Sequence, residues 1–249
     1  MTRIASHRGG TLEFGDSTRA GFEATAGMPV EEVEFDLHPT SDGHIIVHHD
    51  PTLDRTTDLS GAIAEMTAGQ VRGAIINYGQ NSGPLLLEEL CEIFSPSSVE
   101  LRCEFKPDAH GRRYENFVPL AISRLEQQGA LAKTNFSSFL IDYLDEIAQH
   151  CTRPRLWLVN PIVLLQIGGQ GVIEIAKSHE IPEIGVQIDT ATPQLMKVIT
   201  DAGLQFGCYA AHTSEQISKA LEMGVKIFTT DRPSLALRIR AQFEEGTNR

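Results

Sequence analysis

Short apolar or β-branched runs alternate along this chain with longer stretches of helical period, and nothing else in the sequence constrains the fold as tightly. Strand, helix and strand again in one direction give a parallel sheet covered by helices, because parallel neighbours need a crossover. Strands are expected over 3–6, 32–37, 99–105, 134–138, 155–159, 184–188, 206–210 and 226–229, eight in all. Between them, hydroxyl caps or prolines mark helix starts: Ser17-Thr18 before 20–25, Thr192-Pro193 before 194–202, Thr213-Ser214 before 215–223 and Arg232-Pro233-Ser234 before 235–243. Gly203 and Gly224 stand where a left-handed residue would end the second and third of these. No repeat of fixed sequence underlies the pattern. Eight such units closing on themselves form an α/β fold, the TIM (β/α)8 barrel, and the 249 residues match its usual size of ~250. A single domain over 1–249 is therefore expected.

Two places break the alternation. The strand over 32–37 is followed by Pro39-Thr40-Ser41-Asp42-Gly43 and then by the apolar His44-Ile45-Ile46-Val47-His48-His49. So short a link holds no helix, and Asp42-Gly43 signals a hairpin. Counting outward from Ser41-Asp42 sets Glu34 opposite His49 and Asp36 near Val47. The second break, 51–83, is too long and irregular for one loop and reads as a small insertion over the barrel mouth, after the second strand and its hairpin.

The formal net charge of −12 and a pI near 5.2 oppose binding to a phosphate backbone or an anionic membrane surface, and no basic run interleaved with aromatics offsets them. Neither nucleic acid nor membrane is an expected partner. Cys91, Cys103, Cys151 and Cys208 form no Cys-x-x-Cys pair and read as small buried hydrophobes in a reducing compartment. The first residues carry no apolar export signal and no long apolar run occurs, so a cytoplasmic location is expected.

In a barrel of this kind the chemistry sits at the C-terminal ends of the strands. Polar residues at those ends are His7 and Arg8, Glu34 and Asp36, and Glu104 and Lys106, with His49 returning on the hairpin. Glu34 and Asp36 leave one face of their strand, while Val33, Phe35 and Leu37 take the other. A lone strand carboxylate is most often a solvated edge residue or a partner for lysine. Three at adjacent strand ends, without sulfur, describe instead a hard oxygen site for one divalent cation, Mg²⁺ or Ca²⁺, with Mn²⁺ as a further candidate. Arg8 suits bidentate contact with a phosphate, and Lys106 adds a point charge. If Arg8 only fixes its loop, Asp16 or Glu13 is its nearest partner. His48 should point away from His49, and of the other histidines His212, at the end of the seventh strand, is the hardest to set aside. Gly168-Gly169-Gln170-Gly171 lacks the features of a phosphate loop and is assigned to a turn.

Taken in order, His7-Arg8-Gly9, Glu34-Phe35-Asp36, Thr40-Ser41-Asp42-Gly43, His49-Asp50, Arg55-Thr56-Thr57, Gly61, Glu104-Phe105-Lys106, Ser138-Phe139 and Thr230-Asp231-Arg232-Pro233 resemble the glycerophosphodiester phosphodiesterase family over essentially the whole chain. The resemblance implies a TIM barrel with a small insertion after the His-Asp motif. It also implies metal-dependent hydrolysis of glycerophosphodiesters to an alcohol and glycerol 3-phosphate, a reaction of lipid and glycerol metabolism. By the family pattern His7 and His49 are the acid and base, and Glu34, Asp36 and Glu104 are the metal ligands. Arg8, Lys106 and Tyr209 would contact a small-molecule phosphodiester. Asp16-Ser17-Thr18 stands where the family usually shows Glu-Asn-Thr, and Tyr209-Ala210-Ala211-His212 where it tends to have Trp-Thr-x-Asn. Both changes lie beside the substrate cleft in the family. A non-catalytic sugar-phosphate-binding barrel, a barrel phosphodiesterase for another alcohol or sugar, and a sugar-phosphate isomerase or aldolase are the alternatives.

Overall fold

The computed structural model describes residues 1–247. In chain order its elements are β1 (Arg3–His7), α1 (Thr11–Phe14), α2 (Arg19–Ala26), β2 (Glu32–Pro39), β3 (Ile45–Val47), α3 (Ala68–Arg72), β4 (Leu85–Leu86), α4 (Leu87–Phe94), β5 (Glu100–Phe105), α5 (Phe117–Gln127), β6 (Thr134–Ser138), α6 (Ile141–His150), β7 (Arg155–Val159), α7 (Pro161–Ser178), β8 (Glu183–Gln187), α8 (Pro193–Asp201), β9 (Gln205–Tyr209), α9 (Ser214–Met223), β10 (Ile227–Thr230) and α10 (Pro233–Thr247). Strands β1, β2 and β5 to β10 run parallel, and pairing of β1 with both β2 and β10 closes the barrel. These eight are the strands expected from the sequence, two with the expected ends (134–138 and 155–159) and six with ends shifted by one or two residues.

Alternation within each strand divides the side chains between two environments. Val33, Phe35 and Leu37 of β2, with Leu101, Cys103 and Phe105 of β5, face outward into the main apolar core against the helices. Glu32, Glu34 and Asp36, with Arg102 and Glu104, point into the barrel. Helix starts follow the local chemistry: the hydroxyls of Thr18, Thr192 and Thr213 accept from the backbone N–H of Gly21, Leu195 and Gln216. The glycine-rich run at 168–171 is a sharp break between two helices rather than a longer turn: Gly168 (φ 66°, ψ 176°) is non-helical and kinks α7, and the helix resumes directly after it.

The hairpin also needs a correction. Thr40 N–H donates to His44 O (2.9 Å) around a three-residue loop, 41–43, rather than the expected two-residue turn. Leu37 therefore pairs with Val47 and His38 with Ile46, one residue out of the expected register, so that Asp36 lies opposite His48. Beyond β3 the chain packs Leu53, Ile63, Val71 and Ala74 onto Ile46 of that strand as a small separate core. Asp42 ties this segment to the hairpin by accepting the Ala68 N–H (2.9 Å), and β4 returns antiparallel to β3.

The lower barrel interior is charged, a feature that no local pattern in the sequence announces. Arg102, 3% exposed, donates to Glu32 (2.6 Å) and lies 3.8 Å from Glu183, while Lys226 is 2.5 Å from Glu183 and Arg3 3.3 Å from Glu32. Breaking a buried pair from one side leaves an uncompensated charge. Arg102→Met is accordingly expected to cost about 3–5 kcal/mol, read as a lower urea midpoint at unchanged m-value. An unaltered midpoint would mean that water reaches this layer and screens it.

Candidate active site

At the C-terminal end of the barrel, adjacent strands set the carboxylates side by side. Asp36 pairs in register with Glu104, and Glu34 with Arg102 on one side and His7 on the other. One carboxylate oxygen from each of Glu34, Asp36 and Glu104 lies within 4.8 Å of the others, the one such group of three or more possible ligands found among the described residues. All three residues are buried. Lys106 Nζ lies 2.5 Å from Glu104 and 3.2 Å from Asp36, and Arg8 Nε lies 3.2 Å from Asp36.

These charges act on one another. Burial, then the neighbouring Asp36 and Glu104 carboxylates, pushes Glu34 well above the ordinary carboxyl range. Burial also disfavours an ionised Asp36, but Lys106, His49 and Arg8 outweigh it and hold Asp36 low. Glu104 is raised by burial despite Lys106. Neither oxygen of Glu34 or of Asp36 accepts a hydrogen bond among the described residues. Buried carboxylate oxygens left without donors are costly unless a cation satisfies them. The all-oxygen set fits a hard divalent ion.

A cavity of about 360 Å³ opens beside this cluster and is lined by His7, Arg8, Glu34, His49, Glu104, Lys106 and Tyr209. Seven of the eight side chains singled out in the sequence thus meet there, while Asp36 sits behind them on Arg8 and Lys106. His7 enters from β1, and the turn after it is tight. Arg8 is left-handed (φ 50°), and Gly9 (φ 76°) has no room for a Cβ, which would lie 2.9 Å from the Gly21 backbone carbon. Arg8 lines the cavity and also reaches a carboxylate of its own loop, its Nη1 lying 3.0 Å from Asp16. His49 reaches the cavity although the hairpin register is shifted, because the ladder of β3 ends at Val47 and strict alternation ends with it. His48 instead is buried against Thr56, with Nε2 and Oγ1 3.1 Å apart.

Each cavity imidazole has a carboxylate behind it. His7 Nδ1 lies 2.5 Å from Asp231 and its Nε2 3.7 Å from Glu34, and His49 Nδ1 lies 2.5 Å from Asp50. Such a partner fixes the tautomer and leaves Nε2 to exchange a proton. Burial and Arg8 lower His7 below its ordinary value, against Asp231. The sequence motifs contain Asp231 and Asp50 without assigning either a role. The contact of Asp50 with His49 could have been read from their adjacency. That of Asp231, 224 residues from His7, needed the closed barrel.

Tyr209 offers its ring rather than its hydroxyl, which donates to Val159 O (3.1 Å). The ring meets Phe139 edge-on at 5.6 Å, and Lys106 Nζ lies 5.6 Å from the Phe139 centroid. His212 lines the same cavity. Its Nδ1 accepts the Asp231 N–H (3.0 Å), so a neutral ring carries its proton on Nε2.

The model of the glycerophosphoryl diester phosphodiesterase family matches residues 7–235. The chain belongs to that family. A glycerophosphodiester phosphodiesterase of Bacillus altitudinis is 24% identical over 98% of this chain and all of its own length. An Agrobacterium tumefaciens protein of known structure, named for the same family, is 60% identical with a TM-score of 0.98, covering 98% of this chain and 99% of that one. An Oleispira antarctica phosphodiesterase solved with the product sn-glycerol-3-phosphate shares the fold at 20% identity and a TM-score of 0.84, covering 97% of each chain.

Proposed function

We propose that this chain hydrolyses glycerophosphodiesters to an alcohol and glycerol 3-phosphate, with His7 and His49 as acid and base and Glu34, Asp36 and Glu104 holding one divalent cation. The carrying observation is a single cavity in which His7 and His49, each backed by a carboxylate, stand beside the clustered carboxylates of Glu34, Asp36 and Glu104, flanked by Arg8 and Lys106. Membership of the family supports the reaction class, and the Oleispira antarctica structure shows what a relative of this fold binds.

Each residue has a task. The guanidinium of Arg8, held by Asp16 and Asp36, presents fixed donors to the non-bridging phosphate oxygens, and Lys106 adds charge beside them. One imidazole takes the proton of the attacking hydroxyl, and the other gives a proton to the departing alkoxide. A bound divalent ion, Mg²⁺, Ca²⁺ or Mn²⁺, would supply Lewis-acid stabilisation of the charge that builds on phosphorus-bound oxygen. The rings of Phe139 and Tyr209 form an apolar wall for the organic part of the substrate. A non-catalytic binder would have no use for two imidazoles oriented in this way.

We read residues 1–249 as one catalytic domain with 51–83 as an insertion over the barrel mouth, acting on a small-molecule phosphodiester. Among the described residues no helix is long and apolar enough to cross a membrane. The four free cysteines, three of them buried, suit a reducing cytoplasmic setting. The test is a turnover panel of glycerophosphocholine, glycerophosphoethanolamine, glycerophosphoglycerol and an aryl phosphodiester with added divalent metal. Release of glycerol 3-phosphate from at least one of the first three is expected. Saturable binding of all of them without turnover would establish a binding protein instead.

A further inference from the structure

We infer that Arg55, outside the substrate cavity, is a positioning residue that holds His49 in its working orientation through Asp50. The inference rests on the role given to His49 above. The Nε and Nη2 of Arg55 donate to the two oxygens of Asp50 (2.6 and 3.0 Å), and Asp50 Oδ1 lies 2.5 Å from His49 Nδ1. With both oxygens engaged by one planar fork, the Asp50 carboxylate is fixed in plane and direction. The imidazole bonded to it can then neither turn over nor move its Nδ1 proton without breaking a charge-assisted contact.

The guanidinium is itself held. Nη2 lies 3.6 Å from Asp16 Oδ2, the oxygen that Arg8 Nη1 contacts at 3.0 Å. The main chain that carries it is tied as well: Asn77 donates its side-chain amide to the Arg55 carbonyl (3.4 Å) and its backbone N–H to the Thr56 carbonyl (2.8 Å). One cation from the segment after the hairpin thus stands between the carboxylate that aims His49 and the carboxylate that steadies Arg8.

A purely stabilising role is a poor account of this contact. The Arg55 side chain is 56% exposed, and exposed ion pairs add little to stability because water competes for both partners. Contact with substrate is no better an account, since Arg55 lines a separate groove with Thr11, Asp16 and Tyr78 rather than the cavity of His7 and His49. Bidentate geometry is what remains, and lysine cannot supply it.

The experiment measures kcat, KM and melting temperature for Arg55→Ala, Arg55→Lys, His49→Ala and the Arg55→Ala/His49→Ala pair, on whichever glycerophosphodiester the wild type turns over. Arg55→Ala is expected to lower kcat by about 10–100-fold, as loss of an orienting partner commonly does, with KM and melting temperature close to wild type. Arg55→Lys should recover only part of the loss. In the His49→Ala background the further change to Ala at 55 should cost nothing, because the group being aimed is gone. Wild-type kcat in Arg55→Ala beside an impaired His49→Ala would overturn the positioning role and leave the catalytic reading standing. A loss confined to KM, or a full additional loss in the His49→Ala background, would overturn the positioning role as well. Wild-type turnover by His49→Ala would overturn the catalytic reading itself, and this inference with it.

Discussion

Glu34→Gln is expected to abolish hydrolysis while raising the melting temperature of the metal-free protein. The two effects share a cause. Burial and the adjacent Asp36 and Glu104 charges hold the Glu34 carboxyl well above its ordinary value, so the folded state binds that proton more tightly than the unfolded state does. Its contribution to stability is present at acid pH and lost as pH rises through the raised value, and at neutral pH an ionised Glu34 works against folding. Glutamine keeps the shape without the charge and removes that penalty, but it also removes a ligand and part of the field that holds the cation. Wild-type protein stripped with a chelator should lose activity, and Mg²⁺, Mn²⁺ or Ca²⁺ should restore it to different degrees because cavity size and ligand flexibility differ in their effect on each. The stripped wild type should also gain about 2.7 kcal/mol of stability when metal is added at 100 times its dissociation constant. Glu34→Gln should show neither response. Full wild-type activity in metal-free buffer, with metal content checked by elemental analysis, would remove the cation from the reaction.

How far the sequence shows these features depends on whether the chemistry that sets them is local. The strands are visible because a two-residue period is written into segments such as Val33-Glu34-Phe35-Asp36-Leu37, and the helix starts because Thr18, Thr192 and Thr213 act within three residues of themselves. The hairpin register is set by a loop closure between Thr40 and His44 that Asp42-Gly43 does not distinguish from a shorter turn. His49 is legible through its motif, and it reaches the cavity because the strand ends before it, not because the counted register is right. The charged floor built from Glu32, Arg102, Glu183 and Lys226 joins strands that become neighbours only when the barrel closes, so no spacing reveals it. The same holds for Asp231 behind His7. Gly168 does interrupt the helix, but at one residue only, so a run that reads as a turn is a kink between two helices.

That closed geometry sets the second large effect. His7→Ala and His49→Ala should each lower kcat by about 10²–10⁴-fold and leave stability little changed, since the two side chains remain 20% and 29% exposed and neither belongs to the apolar core. The two losses should differ in their dependence on the departing alcohol. An alkoxide leaves poorly without a proton, whereas a phenolate leaves well without one. The variant lacking the acid should therefore regain much of its rate on an aryl phosphodiester, and the variant lacking the base should be slow on both substrates. Recovery in one variant alone assigns the two roles. Absence of recovery in both would mean that neither imidazole donates to the leaving group, and the acid would then have to be sought elsewhere on the cavity wall. His212, half-buried with its Nδ1 on the Asp231 N–H, would be the next side chain to replace. His48→Ala is the control for the hairpin. His48 is 2% exposed and faces Thr56, so its replacement should cost stability while sparing kcat in the folded fraction. A His48→Ala protein that folds but does not turn over, beside a fully active His49→Ala, would show that the adjacent imidazole serves the site.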